Sequence, residues 1–401
     1  MRSSYRRTVL LAAATGLLAI TGLAGSRLLA GEDGGVAVSI VETELAARDA
    51  AIGAWSNALR VDPESALALA QLGGLHLQRA RETGDEADYS KAEDYARRSL
   101  ALRVTRNAKS YVTLANALVA QHRFVEAEVA AHSAVRYDPS VPEYSSLLAE
   151  IRMELGDYAG ARAIFQRSYP FQAIPSVGPR LARWEELNGN PEAARRILER
   201  VSKAVERRRD IPREQRAWFH LRLGDLEMRR GRLYRAKQDL ERGLAIQPDD
   251  HRILTSLARL ELLKGNPRKA MAQAEKALAL RIDPATLGVL ARAQLAVGDS
   301  ASARETAQAM EIAVSGQPGA YHREWSLFLL DQNLRVEEVH ARALEELETR
   351  KDIYGYDVVA WSLFRMGRVD DAARVMKQAM ALGTRDPMLI QHANAIEMSR
   401  Q

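Results

Sequence analysis

The 401-residue chain reads as an all-α helical solenoid behind an N-terminal hydrophobic targeting or anchor helix. Three observations carry that reading. Small residues recur at Ala127, Ala161, Ala194, Ala236, Ala270, Ala303 and, one unit skipped, Ala372, spaced 34, 33, 42, 34, 33 and 69 residues apart. A period near 34 belongs to stacked helix pairs rather than to one globular core. In seven units a second small residue stands twelve positions upstream: Ala115, Ala149, Ala182, Gly224, Ala258, Ala291 and Ala360. The third observation is an uncharged run from Thr8 to Ser26 preceded by Arg2, Arg6 and Arg7.

The N-terminal run has the basic flank and apolar stretch of an export signal or a membrane anchor. Its apolar part, Val9 to Gly25, would form a helix of about 25 Å, short against a hydrocarbon core of about 30 Å. A small-x-small cleavage site is poorly written, and no cysteine follows, which excludes a lipoprotein. We therefore expect an uncleaved anchor with the repeats on the extracytoplasmic (bacterial periplasmic) side. The alternative is a secreted or soluble periplasmic chain after signal cleavage.

Within each unit the two small residues let two helices approach closely while Leu, Ile, Met and Phe fill the facing surfaces. Between them stand turn signals: Gly156-Asp157, Gly189-Asn190-Pro191, Gly231-Arg232, Gly265-Asn266-Pro267, Gly298-Asp299 and Gly367-Arg368. Glycine can take the left-handed conformation that ends a helix, and proline shortly after prevents its continuation. Pro63, Pro139 and Pro248 mark exits from second helices.

These residues resemble the tetratricopeptide repeat family. The clearest stretch is Leu223-Gly224, Gly231-Arg232-Leu233-Tyr234-Arg235-Ala236, Leu240, Gly243 and Pro248, and similar patterns run through Tyr111 to Pro139 and Leu148 to Phe165. The resemblance covers about residues 51 to 386 and implies a right-handed, tetratricopeptide-type solenoid that serves as a scaffold or adaptor. More narrowly, the chain is similar to a group of bacterial multi-repeat proteins of poorly defined function. That likeness rests on Gly73 to Leu102 with its Arg81-Glu82-Thr83-Gly84-Asp85 insert, Ala360-Trp361, Gly367-Arg368, Leu382 to Asp386 and His392.

The expected organisation is a signal peptide or anchor at 1–30, a linker at 31–44, an N-terminal helix at 45–64, nine helix pairs over 66–386, and a C-terminal capping helix and tail at 387–401. Two insertions interrupt the rhythm, one around Arg81 to Glu86 and one between Lys203 and Gln215. A loop insertion is thermodynamically cheap and can carry a partner contact.

Composition narrows the function. There is no cysteine, so disulfide and thiolate chemistry are excluded, and the formal charge of +5 comes from 57 basic and 52 acidic residues. The eight histidines are scattered and form no helix-borne zinc-hydrolase pair. Phosphate-binding-loop and nucleophile-elbow patterns are absent too. The reading is not an enzyme, with no cofactor and no metal.

An array of this kind displays its first helices on the inner face. One position per pair, at Gly74, Asn116, Glu150, Glu186, Asp225, Arg259, Arg292 and Trp361, with Arg229 nearby, gives a groove running from an acidic middle to a basic C-terminal half. The candidate protein-binding residues are Asn116, Glu150, Asp225, Arg229, Arg259, Arg292 and Trp361. Such a groove would orient a protein partner or peptide by complementary charge. A chaperone-tail carboxylate clamp is not expected, since Val112 and Glu150 replace its basic positions. A membrane protein complex and an anionic membrane surface are further candidate partners. Nucleic acid is not expected: Arg195, Arg196, Arg200, Arg207, Arg208, Arg209 and Arg213 are interrupted by Glu192, Glu199, Glu206 and Glu214, with no aromatic stacking module. The function these features imply is a scaffold or adaptor at the extracytoplasmic membrane surface, or else a structural subunit of a stable membrane complex.

Overall fold

In a computed structural model the described residues are 40–315 and 323–400. The chain divides at Thr43 into two compact units. Of the first, only Ile40 to Thr43, the start of a helix, is described. Among the described residues the second unit has only helices as regular elements.

Helix α1 (Ile40–Val61) leads into pairs α2/α3 (Ala66–Thr83, Glu86–Leu102), α4/α5 (Ala108–Ala120, Phe124–Tyr137) and α6/α7 (Pro142–Leu155, Tyr158–Ser168). The middle pairs are α8/α9 (Gly178–Leu187, Pro191–Val205), α10/α11 (Arg213–Arg229, Leu233–Ile246) and α12/α13 (His251–Leu263, Pro267–Leu280). Pairs α14/α15 (Pro284–Ala296, Ser300–Ser315), α16/α17 (Arg323–Asp331, Val336–Thr349) and α18/α19 (Ile353–Arg365, Val369–Ala379) follow, and α20 (Pro387–Met398) packs against the last of them.

The small residues spaced by twelve are buried within their pairs. Ala115, Ala127, Ala258, Ala270, Ala360 and Ala372 are fully buried. At Gly224 even a methyl group would lie 2.6 Å from the Leu240 side chain, so that crossing of α10 over α11 admits only glycine. The six glycines read as helix stops have φ between 69° and 85°, the left-handed region a helix C-terminus favours. The turn before α5 uses His122 and the one before α17 uses Asn333 and Arg335 at positive φ instead.

A regular superhelix brings distant pairs together. The stop of the third pair meets the connection into the ninth: Lys351 N donates to Leu155 O at 3.1 Å, and Ile353 N donates to the Tyr158 hydroxyl at 2.8 Å. A side chain at Gly156 would collide with the Lys351 carbonyl. Gly84 likewise lies against Arg281, and Gly189 against Gly383. All three contacts join positions about 195 residues apart, so roughly six pairs of about 33 residues complete one superhelical turn.

The expected fold class is corrected in one part. Among the described residues no helix is long and apolar enough to cross a membrane. The solenoid is described without an anchor helix, and the segment 1–30 assigned to one lies outside the described residues. The expected membrane-anchored extracytoplasmic localisation is corrected to the same extent: none of the described helices is an anchor.

Candidate functional site

Winding of the superhelix directs the first helices of several pairs at one another around a cavity of about 560 Å³. Glu150 and Glu154 reach it from α6, Arg183 from α8, Arg222 and Arg229 from α10, Arg323 from α16 and Tyr354 from α18. Arg350 and Asp386 come from connections. Five arginines and three carboxylates line the space.

One carboxylate, Glu186, is the hub on the arginine-rich side. It is 3.2 Å from Arg183 and 3.5 Å from Arg222, and it accepts a short hydrogen bond from Arg229. Burial alone would raise its pKa, but Arg229, Arg183 and Arg222 outweigh that and hold it down to about 2. Arg222 makes no closer ion pair, and burial pushes its pKa down. Arg183 also donates to the Tyr354 hydroxyl at 2.8 Å, and the Arg183 and Arg323 guanidiniums lie 5.2 and 4.6 Å from the Tyr354 ring centre. Arg229 Nη2 and Arg323 Nε are buried with no hydrogen-bond partner.

Opposite lies the converse arrangement. Arg350 is 2.7 Å from Asp352, 2.8 Å from Glu154 and 3.5 Å from Glu346, and its guanidinium stands 4.8 Å from the Phe124 ring centre. Burial raises the pKa of Glu154, opposed by Arg350. Here one cation serves three anions, and the group closes the contact between turns.

The residues expected to hold a partner fall into separate places. Glu150 and Arg229 both line the cavity, Glu150 held by Arg180 at 2.6 Å. Asn116 donates back to Val112 O of its own helix at 2.8 Å, and Asp225 accepts from Ser256 at 2.8 Å. Arg259 and Arg292 converge on Glu324 at 3.5 and 3.4 Å, and Arg292 also nears Asp331 at 3.6 Å. Trp361 is buried, stacked 4.1 Å from His392, with its Nε1 donating to Asp331 at 3.3 Å. The groove thus differs from the expected charge gradient: its middle holds the arginine cluster, while the C-terminal arginines are neutralised by Glu324 and Asp331. Reading a single position per first helix missed Arg183, Arg222, Arg323 and Arg350. The face of α10 carried the signal, since Trp218, Arg222, Asp225 and Arg229 follow helical spacing. Among the described residues no cluster of three or more His, Asp or Glu could hold a metal ion.

Three arginines of the basic run near the α9–α10 connection are paired within the chain. Arg195 contacts Glu199, Glu227 and Asp239, Arg208 contacts Asp210, and Arg213 donates to Ile246 O.

Comparison with known proteins agrees with this architecture. Tetratricopeptide repeat models match residues 112–176, 221–285 and 284–309. No curated protein matches the chain. Among solved structures, a monomeric mutant of IFIT1 with m7Gppp-AAAA has a TM-score of 0.56 at 16% identity, covering 85% of this chain and 76% of that one. The human IFIT1 dimer with m7Gppp-AAAA gives 0.53 at 16%, covering 79% and 72%. A tetratricopeptide repeat protein from Parabacteroides merdae gives 0.45 at 15%, covering 65% and 99%. The exclusion of nucleic acid is therefore corrected. The interrupted arginine run was the wrong feature on which to judge it, because solenoids of this fold include one with a capped RNA, and the buried arginines here lie elsewhere.

Proposed function

Since the chain belongs to the tetratricopeptide-repeat family, we propose that it is a protein-interaction scaffold, built into a stable complex as a structural subunit. One observation supports this mode over a groove that exchanges extended peptides: the inner face is crossed by the contact between the third and ninth pairs. The candidate residues there, Glu150, Asp225, Arg229, Arg259, Arg292 and Trp361, already have partners within the chain.

The surface left for a protein is the outer one, formed by second helices. It exposes apolar side chains that a solvated face does not need, among them Val125 and Val129 one turn apart on α5, Tyr234 on α11 and Ile312 on α15. Co-purification of the full chain tests the reading. A stoichiometric protein partner should stay bound at about 1 M salt, where charges beyond about 3 Å are screened. Val129→Asp should release it without changing the unfolding midpoint. A partner that dissociates in high salt and is indifferent to Val129→Asp would point to a charge-based adaptor instead.

Nucleic acid is the second reading, supported by the fold shared with IFIT1 and by the arginine-lined cavity. Arginine forks suit phosphate recognition. Saturable binding of a 5′-triphosphorylated oligonucleotide, weakened by Arg222→Gln, is the expected result. Binding unchanged by that substitution would remove the reading.

A further inference from the structure

The Glu186 cluster gathers three arginines on one carboxylate: Arg183, Arg222 and Arg229 all lie within ion-pair distance of it. Asp225 on α10 adds a further negative charge near Arg222 and Arg229 and accepts from Ser256, and Asp386 caps α20 by accepting from Met388 N while also receiving the Tyr354 hydroxyl. The three arginines are half-buried, but Arg229 Nη2 is itself buried and has no hydrogen-bond partner, an unmet donor that costs stability. Arg350, lining the same cavity, is by contrast met by three carboxylates.

From this geometry we infer that the axial cavity is an anion site whose ligand carries a phosphate or pyrophosphate group, docked on Arg183, Arg222 and Arg229. A phosphate group offers these guanidiniums more acceptor oxygens than a carboxylate does. Tetrahedral oxygens can accept from several guanidinium forks at once. The space, about 560 Å³ with an adjoining pocket of about 210 Å³ that shares Arg229, Tyr354 and Asp386, is of the size that holds a small ligand rather than a folded domain. Phosphate can come from a free nucleotide or from the 5′ end of an RNA. The site shares its arginines with the nucleic-acid reading but survives that reading's failure, because free nucleotides would still bind. It is independent of the scaffold reading.

Calorimetric titration of the full chain at constant ionic strength tests the site with pyrophosphate, ATP, a 5′-triphosphorylated RNA oligonucleotide and a glutamate-rich peptide. Saturable binding of pyrophosphate and ATP is expected, weakened at least tenfold by Arg222→Gln and unchanged by Arg208→Gln, whose side chain pairs with Asp210 on the surface. RNA binding alongside ATP identifies both phosphate sources. ATP binding without RNA identifies the free ligand and ends only the nucleic-acid reading. Should Arg222→Gln fail to fold, Arg222→Lys, which keeps the charge and loses the fork, should bind pyrophosphate several-fold more weakly than the native chain. No saturable pyrophosphate binding, equal binding by the Arg222 variants, or preference for the peptide would overturn the inference.

Discussion

Two charge clusters face each other across the axial cavity, and they are mirror images. Around Arg350 one cation is shared by Glu154, Glu346 and Asp352. Around Glu186 one anion is shared by Arg183, Arg222 and Arg229. The first is bound into backbone: Arg350 also donates to Glu154 O at 3.1 Å, beside the Lys351–Leu155 and Ile353–Tyr158 hydrogen bonds. The second leaves guanidinium nitrogen without a partner. Similar residues therefore serve two ends, one fixing the pitch of the superhelix and the other retaining capacity for a ligand.

The sharpest way to break the contrast is at the closing contact. Gly156→Ala meets two penalties, a left-handed backbone at φ 85° and a collision with the Lys351 carbonyl. Together they should cost about 3 kcal/mol in chemical unfolding. A midpoint equal to that of the native chain would show that the turns do not touch. Arg350→Ala is next, leaving Glu154 and Asp352 without their cation. Because Glu154 keeps solvent contact while Asp352 is buried, the loss should be about 2 kcal/mol, below that of a fully buried pair. An unchanged unfolding midpoint would deny the cluster a role in closure.

Acidification separates the clusters by sign. Glu186 has a folded pKa of about 2 against 4.5 for the unfolded group, so the stability it contributes is present above pH 4.5 and is lost as pH falls toward 2. The loss should be under about 2 kcal/mol, and Glu186→Gln should abolish it. Glu154 is shifted upward, so its contribution runs the other way and favours the fold as it protonates. Unfolding curves for Glu186→Gln and Glu154→Gln between pH 2 and 6 check both; acid profiles that shift in the same direction would refute the assignment. The smallest effect serves as the control. Gly367 shares the left-handed backbone of Gly156, at φ 76°, but faces open space. Gly367→Ala should therefore cost only about 1 kcal/mol, the conformational part alone.

These clusters mark the limit of what the chain discloses before it is folded. The pair structure was legible because it is local and repeated: Ala258 and Ala270 lie twelve residues apart and are both fully buried, and Gly265 ends α12 where the turn signal stands. Gly224 was legible as a small residue, though not the Leu240 contact that makes it obligatory. The meeting of Gly156 with Lys351 depends on how small rotations accumulate over six pairs, which no local pattern encodes. The site was legible in its members Glu150, Glu186 and Arg229 and not in its grouping. Arg323 and Tyr354 arrive from the next superhelical turn, and Arg222, one helical turn from Asp225, was hidden by reading a single position on α10.

The division of labour between the clusters is tested most directly by following unfolding of three chains, native, Gly156→Ala and Arg222→Gln, with and without pyrophosphate at constant ionic strength. The account predicts that Gly156→Ala has a lowered midpoint yet gains the same increment from pyrophosphate as the native chain. It predicts that Arg222→Gln unfolds near the native midpoint and gains none. An increment that survives Arg222→Gln, or that vanishes in both variants, would contradict it.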